Sequence, residues 1–414
     1  MDKRGEAIVL GAGVVGITTA WSLAESGWRV RLLDGRGVAQ GTSLRNGGQL
    51  SYRYVAPLAD AGMPVKALRW LFEADGPLRW RPQWDRGQWQ WLARFVARCN
   101  GRDNAATAQR LARLGQHSRE RLQHLMDAHG VRNFGWERAG KLVLHRSADQ
   151  MRRAAAARDP SQEAWDARQC LECEPTLQGL EGQFAGGIYS GDEAVADCHA
   201  FCVSLLDRLQ DHPNFQGLVL DTVERLQPVG ARVRIHARQD TYEADATVLA
   251  TGIASVRLVQ PLGLSLPLYP LKGYSLDAPI GASHVAPRAS ITDFERKVLY
   301  ARIGGRLRVA AMVDLVGHDE RIDQERLDSL LRVARQDMAL AGDYDQAQPW
   351  AGLRPATPSG EPIVGPSGVA GLWLNVGHGA LGFTFACATA DLLAREMAGA
   401  PVPDVLQGVA FGMA

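Results

Sequence analysis

Ala7-Ile8-Val9-Leu10-Gly11-Ala12-Gly13-Val14-Val15-Gly16, a helix-like stretch to Ser26, and the run Trp28 to Leu33 closed by Asp34 decide the fold. Strand, glycine turn, helix, second strand and an acid about twenty residues on together make a dinucleotide-binding βαβ unit. Gly11 permits the tight turn, Gly13 lets backbone approach a pyrophosphate, and Gly16 lets helix pack on strand. The helix start offers free N–H groups and a partial positive charge to phosphates, and Asp34 can accept hydrogen bonds from ribose hydroxyls. A secretory signal shares the basic start and the apolar run, but it needs neither three spaced glycines nor a second strand.

The 414 residues suffice for two domains, or for one domain with large insertions. Forty-six Lys plus Arg against forty-five Asp plus Glu give no global charge pointing to nucleic acid. No run of eighteen apolar residues occurs, so the expectation is a soluble, cytoplasmic protein, at most peripheral on the cytoplasmic face of the inner membrane. Six cysteines are few for a disulfide framework. Cys170-x-x-Cys173 with Cys198 and Cys202 raises a four-thiolate zinc site. Against it, Asp197 to Leu209 reads as an amphipathic helix with Cys198, Phe201, Cys202, Leu205 and Leu209 near one face, where cysteine behaves as a small buried hydrophobe. The expectation is reduced, structural cysteines and no metal.

Asn104 to Gly130 has a helical period, and Lys141 to Arg146 alternates like a strand. Strand-like runs return at Gly187 to Tyr189, Leu218 to Val223, Arg232 to His236 and Thr247 to Ala250, and later at Tyr269 to Leu276 and Val298 to Met312. The division expected is a discontinuous nucleotide-binding domain of 1–51, 186–261 and 346–414, with 52–185 and 262–345 forming a substrate domain. Ala250-Thr251-Gly252 closes a short apolar strand with residues small enough for backbone to pass a cofactor. Near the end, the strand Gly371 to Val376 runs through Gly377-His378-Gly379-Ala380-Leu381-Gly382 into a helix to about Ala398. A second helix start of this kind can stabilise the negative charge that builds on a reduced flavin, so a flavin dinucleotide is favoured over a nicotinamide one.

The set Gly11 to Gly16, Thr42-Ser43-x-x-Asn46-Gly47-Gly48-Gln49, Ala250-Thr251-Gly252, Leu271-Lys272-Gly273-Tyr274, Gly352-Leu353-Arg354-Pro355-x-Thr357-Pro358 and Asn375-x-Gly377-His378-Gly379-x-x-Gly382 runs nearly end to end. In its order it resembles the D-amino-acid dehydrogenase branch of the D-amino-acid oxidase family of flavoproteins. The resemblance implies an α/β (α+β) architecture: a glutathione-reductase-like FAD-binding Rossmann domain with an antiparallel-sheet substrate domain inserted, and the isoalloxazine between them. It assigns FAD binding to Gly11, Gly13, Val14, Val15, Gly16 and Asp34, to Thr42, Ser43, Asn46, Gly47, Gly48 and Gln49, and to Val223, Ala250, Thr251 and Gly252. At the C-terminal end it assigns Gly377, His378, Gly379, Leu381 and Gly382. Asn375 stands where some relatives carry an attaching cysteine, which implies non-covalent FAD. Arg45, Ser51-Tyr52-Arg53-Tyr54 and Ala310-Ala311-Met312 depart from the dehydrogenase pattern where loops approach flavin and substrate. Relatives with a similar segment act on cyclic amino acids such as cis-4-hydroxy-D-proline, so a ring of that kind, or D-proline, is the narrow expectation.

The implied chemistry moves a hydride from Cα to flavin N5, so the protein must chiefly orient the substrate and stabilise charge. A carboxylate suits the fork of an arginine, and Arg354 stands where the resembling oxidases place theirs. The competing reading is a loop arginine paired with Glu361 or Asp343. Tyr274 either covers substrate or flavin with its phenol or is an ordinary strand tyrosine. His378, between two glycines, either meets the flavin or the substrate amine or merely caps a helix. Tyr52 and Arg53 are pocket candidates by position.

Pro64 to Arg102 holds five of the eleven tryptophans and eight Lys or Arg against three Asp or Glu. Such a segment fits a lipid headgroup layer or a partner, while indole packing explains the same pattern. Two functions of different class follow. One is a dehydrogenase of D-amino or D-imino acids passing electrons to a quinone or other respiratory acceptor. The other is a flavin subunit of a larger amine-dehydrogenase complex, inactive without partners.

Overall fold

A computed structural model describes residues 4–73 and 75–412. Strand β1 (Glu6–Leu10), helix α1 (Val14–Glu25) and strand β2 (Arg29–Leu33) form the expected unit, with the two strands parallel and in register from Glu6–Arg29 to Leu10–Leu33. β1 is central in a six-stranded sheet and is buried on both faces: Ala7 and Val9 join one core, Ile8 and Leu10 another. That is why it reads as a continuous apolar run rather than an alternating one. The sheet order is Ile363–Pro366, Leu372–Val376, Ala246–Leu249, β1, β2, Phe215–Val219, with only the first strand antiparallel to its neighbour. One face is covered by α1, Cys198–Gln210 and Gly382–Met397, and the other by the antiparallel meander Val223–Val229, Arg232–Ala237 and Thr241–Ala244.

A nine-stranded sheet carries the other side of the molecule. Its order is Gln348–Ala356, Tyr269–Pro279, Arg306–Leu315, Val298–Ile303, Ser290–Asp293, Lys141–His145, Gly186–Ser190, Glu163–Asp166, and Leu78–Trp80 adds to Arg306–Leu315. Two pairs are parallel, Ser290–Asp293 with Lys141–His145 and Leu78–Trp80 with Arg306–Leu315, and the rest are antiparallel. Helix Gln324–Asp337 packs on its outer face through Leu327, Leu330, Val333 and Ala334.

Several expectations change here. Gly186–Ser190 and Gln348–Ala356, assigned by sequence to the nucleotide-binding part, pair in the nine-stranded sheet. Apolar strands of either sheet look alike locally, and pairing partners decide. The run Leu218 to Val223 is two strands, because the chain leaves the parallel sheet after Val219 and starts the meander at Val223. Arg232 to His236 belongs to that meander, not to the parallel sheet. The helix Gly101–His129 lies in the sequence insertion, yet Leu111, Leu114, Leu122 and Leu125 pack in the core beside α1 and Gly382–Met397. Helix Cys198–Gln210 forms as expected, capped by Asp197, with Cys198, Phe201, Cys202, Leu205 and Leu209 buried. Cys170 lies in the core between the nine-stranded sheet and helix Gln324–Asp337, and among the described residues no three His, Cys, Asp or Glu are grouped to hold a metal.

Candidate active site

Gly11 has φ +100°, and a Cβ there would stand 2.6 Å from the carbonyl oxygen of Ala250. A Cβ on Gly16 would overlap the carbonyl of Gly11, so both positions are closed to side chains by backbone. Gly13 differs, because a Cβ there would meet only Ser43 Oγ at 3.4 Å. Its outer side is open for a ligand. Val14 N donates to Ser43 Oγ (3.0 Å), and no acid occupies the first turn of α1. Asp34 braces the turn from β2, accepting from Ala12 N (2.8 Å) and Arg36 N (2.7 Å).

Gly382 starts the C-terminal helix beside this point: a Cβ on it would lie 4.0 Å from Val14 Cγ1. Gly252 (φ +58°) and Gly379 (φ +54°) have no atom within 4 Å of where a Cβ would stand. Two helix starts thus meet beside glycines whose Cβ positions face open space, an arrangement that fits FAD. The α1 end and Gly13 would hold the pyrophosphate, and the Gly377–Gly382 end would meet the developing charge of the ring system. Val15 and Leu381 pack partly buried on the adjoining core, Val223 on the core across the sheet, and Thr251 Oγ1 shares a hydrogen bond with Ser255 Oγ (2.9 Å). Thr42 is half-buried in the loop that leads to Ser43. Asn375 donates to Thr19 Oγ1 (2.9 Å) beneath α1, so its position belongs to helix–sheet packing.

The loop Arg45 to Gln49 rests on the inner face of the nine-stranded sheet. Cβ atoms on Gly47 and Gly48 would run into Leu299 and Ile303, so these glycines serve that contact as well as any cofactor. Arg45 reaches Asp277 (3.2 Å) and Gln348 Oε1 (2.7 Å), and its carbonyl accepts from Ser275 Oγ (3.0 Å). Arg308 binds the same Asp277 and the carbonyl of Asn46. Gln49 Oε1 accepts from Lys141 Nζ (2.9 Å), which also donates to Ser51 Oγ (2.7 Å) and lies 4.3 Å from the Tyr54 ring centre. Burial lowers the Lys141 amine to about 8. Sequence reasoning missed this lysine, since nothing local distinguishes it from a surface residue at a strand start.

Arg354 lies on a strand, not a loop. Asp343 caps a short turn and Glu361 pairs with Arg110 (2.5 Å), so neither is its partner. The guanidinium lies across Gly273, and its protein hydrogen bond is from Nη1 to the carbonyl of Met312 (2.8 Å). No carboxylate pairs with it among the described residues, and burial lowers it to about 10 against the opposing pull of Asp314. It shares the inner face with Leu271, Gly273 and Ser275 by register, and the ring of Trp350 lies over Gly352 on the same strand.

Successive strand residues point to opposite faces, so Tyr274 turns outward. Its ring packs with Leu276 and Leu330, its hydroxyl donates to Asp314 Oδ2 (3.3 Å), and burial raises its pKa. Tyr52 is also set apart: its ring joins the core near Leu111 and Leu114, and its N–H donates to Glu193 (2.8 Å). The structure therefore does not bring Tyr52 or Tyr274 to the Arg354 face. Arg53 pairs with Asp192 (3.0 Å) at the surface. His378 is near the site by backbone, as a bridge to Ala356 ties the glycine turn to the Arg354 strand. Its imidazole is buried, with Nε2 at 3.0 Å from Thr389 Oγ1, and burial lowers it to about 3.

The profile of the family described as FAD dependent oxidoreductase (DAO) matches residues 6–396. "D-amino acid dehydrogenase 2" of Pseudomonas aeruginosa is 50% identical over 398 residues, covering 95% of each chain. The protein of that name from Ralstonia nicotianae is 46% identical over 406 residues, covering 94% of this chain and 96% of its own. Among solved structures, glycine oxidase from Geobacillus kaustophilus superposes with TM-score 0.72 at 20% identity over all of both chains. L-proline dehydrogenase from P. horikoshii does so with TM-score 0.74 at 14% identity, over 98% of this chain and 96% of its own. The fold is thus a shared one, and the chain belongs to the DAO family of FAD-dependent oxidoreductases.

Proposed function

We propose that the protein oxidises D-amino acids at Cα, with FAD held non-covalently. The observation that carries this reading is Arg354, a half-buried cation without a carboxylate partner among the described residues, on the sheet face that meets the loop Arg45 to Gln49. The names of the two relatives support the D-amino acid class. Bound FAD supplies the acceptor for the Cα hydride. Arg354 grips the substrate carboxylate, which fixes Cα and leaves one enantiomer able to present its hydrogen. The amine gives up a proton as the C=N bond forms, and the product is an imino acid. Trp350, four residues before Arg354 on the same strand face, lays a flat apolar ring over Gly352, which suits a ring such as D-proline or cis-4-hydroxy-D-proline.

Anaerobic bleaching of the flavin by a panel of D- and L-amino acids, with both proline epimers, tests the class. Bleaching by L-proline or L-alanine but not by their D forms overturns it. Arg354→Ala should lower kcat/KM tens- to thousands-fold, roughly 2 to 5 kcal/mol, with flavin content unchanged. Wild-type rates would remove the arginine's role. Acid precipitation should leave a yellow supernatant. Dye reduction by the chain alone separates an enzyme from a subunit that needs partners.

We place electron delivery to a quinone-type acceptor at an anionic bilayer surface. Helix Met63–Trp70 has no buried residue, and Val65, Leu68 and Phe72 are 74%, 62% and 90% exposed in one stripe beside Lys66 and Arg69. The tryptophans divide: Trp91 is buried, Trp80 and Trp89 stack edge to face, and Trp84 is fully exposed. Arg79 and Arg81 are engaged with Asp323, so the stripe is the better target. Flotation with anionic liposomes should be lost in Leu68→Asp/Phe72→Asp. Undiminished binding by that variant, or none by the wild type at low salt, refutes this placement.

A further inference from the structure

We propose that the bulge formed by Met312 opposite Gly273 is a positioning device that sets which edge of the Arg354 guanidinium meets the substrate. The inference rests on Arg354 being the carboxylate grip. Tyr274 pairs with Ala311 and Lys272 with Asp314, so two residues, Met312 and Val313, stand opposite Gly273 alone. Bulges of this kind commonly place glycine in the left-handed region at their first position. Here that residue is methionine, with φ +70°. Strain at a non-glycine residue persists only where its surroundings over-determine it, and such residues cluster at functional sites.

The conformation has a visible consequence. The Met312 carbonyl accepts from Arg354 Nη1 at 2.8 Å. From the neighbouring strand Gly273 leaves a bare backbone under the guanidinium, where a Cβ would overlap both Nη2 and Cζ. Asp314, the carboxylate that acts on Arg354 through space, is held by Arg326 (2.8 Å) and the Tyr274 hydroxyl, and makes no hydrogen bond to it. A carbonyl orients the cation without neutralising it, so its full charge stays available to a ligand carboxylate. Nε and Nη2 have no protein partner among the described residues, which makes them the donating edge.

The bulge also sits where Arg306–Leu315 exchanges Val298–Ile303 for Leu78–Trp80 as its neighbour, so a purely structural role must be separated from positioning. Met312→Gly keeps the left-handed backbone, whereas Met312→Val opposes it because a β-branched residue tolerates that region poorly. Met312→Val should raise KM about tenfold or more and weaken acetate binding, read from the flavin spectrum, with kcat within about threefold. Met312→Gly should hold KM whatever it does to the melting temperature. Gly273→Ala displaces the guanidinium from the other strand and should repeat the Val result, which keeps the test open if Met312→Val does not fold. Equal KM in all three and the wild type, or a KM rise in Met312→Gly matching that in Met312→Val, overturns the proposal. If Arg354→Ala itself leaves KM and acetate binding unchanged, the grip fails. If Arg354→Ala impairs both while the bulge variants do not, only the positioning role fails.

Discussion

The glycine turn before α1 and the seat of Arg354 both depend on missing Cβ atoms, but the clearance has different origins. At the turn, Gly16 clears the carbonyl of Gly11, only five residues away. At the seat, Gly273 clears a guanidinium eighty-one positions later in the chain. A cofactor cradle can be written in one segment because a helix start supplies its own donors. A side-chain grip needs neighbours that only strand pairing brings.

The comparison predicts a graded series. Gly16→Val should be the most damaging change, since its side chain must displace backbone rather than another side chain. Overpacking typically costs about 1–3 kcal/mol and more where nothing can yield. Loss of soluble protein, or a collapse of the melting temperature, is expected, and a native melt with full flavin would show that α1 moves freely. Gly13→Val should be gentler to the fold, because φ −72° and ψ 177° suit any residue and only Ser43 Oγ is near. The expected product is folded but colourless, as the side chain occupies the pyrophosphate's approach. Full flavin absorbance in that variant would show that the open side of Gly13 is not the phosphate side.

The smallest effect concerns the C-terminal glycine turn. His378 titrates near 3 in the folded protein and near 6.5 when unfolded. Between those values only the unfolded chain takes the proton, so His378 lowers stability as pH falls from about 6.5 towards 3. His378→Gln, which can keep a donor towards Thr389, should flatten the loss of stability between pH 7 and pH 5 by up to about 2 kcal/mol. Parallel pH–stability curves for the two proteins would mean that the imidazole is not buried uncharged.

Local features were legible to the extent that their partners lay close in sequence. The helix Cys198–Gln210, the strand Ala246–Leu249 and the helix after Gly382 stand as expected from residue pattern alone. Tyr274 and Tyr52 show the limit. A strand tyrosine has two faces to choose from, and the one taken depends on the helix Gln324–Asp337 packed beneath it. The residue after a flavin loop can equally turn into a helical core, as Tyr52 does.

The order of residues by itself determined the βαβ unit, the closure of Gly16 to a side chain by Gly11, and the presence of an arginine suited to a carboxylate. Each of these rests on one short stretch of chain or on the chemistry of one side chain. Tertiary structure alone decided which sheet received Gly186–Ser190 and Gln348–Ala356, and that Lys141 would be buried against Gln49. It also decided that Met312 would offer its carbonyl to Arg354. The reason is that strand pairing joins segments far apart in the chain, and a residue's face, burial and charge environment are properties of that pairing rather than of its own neighbours.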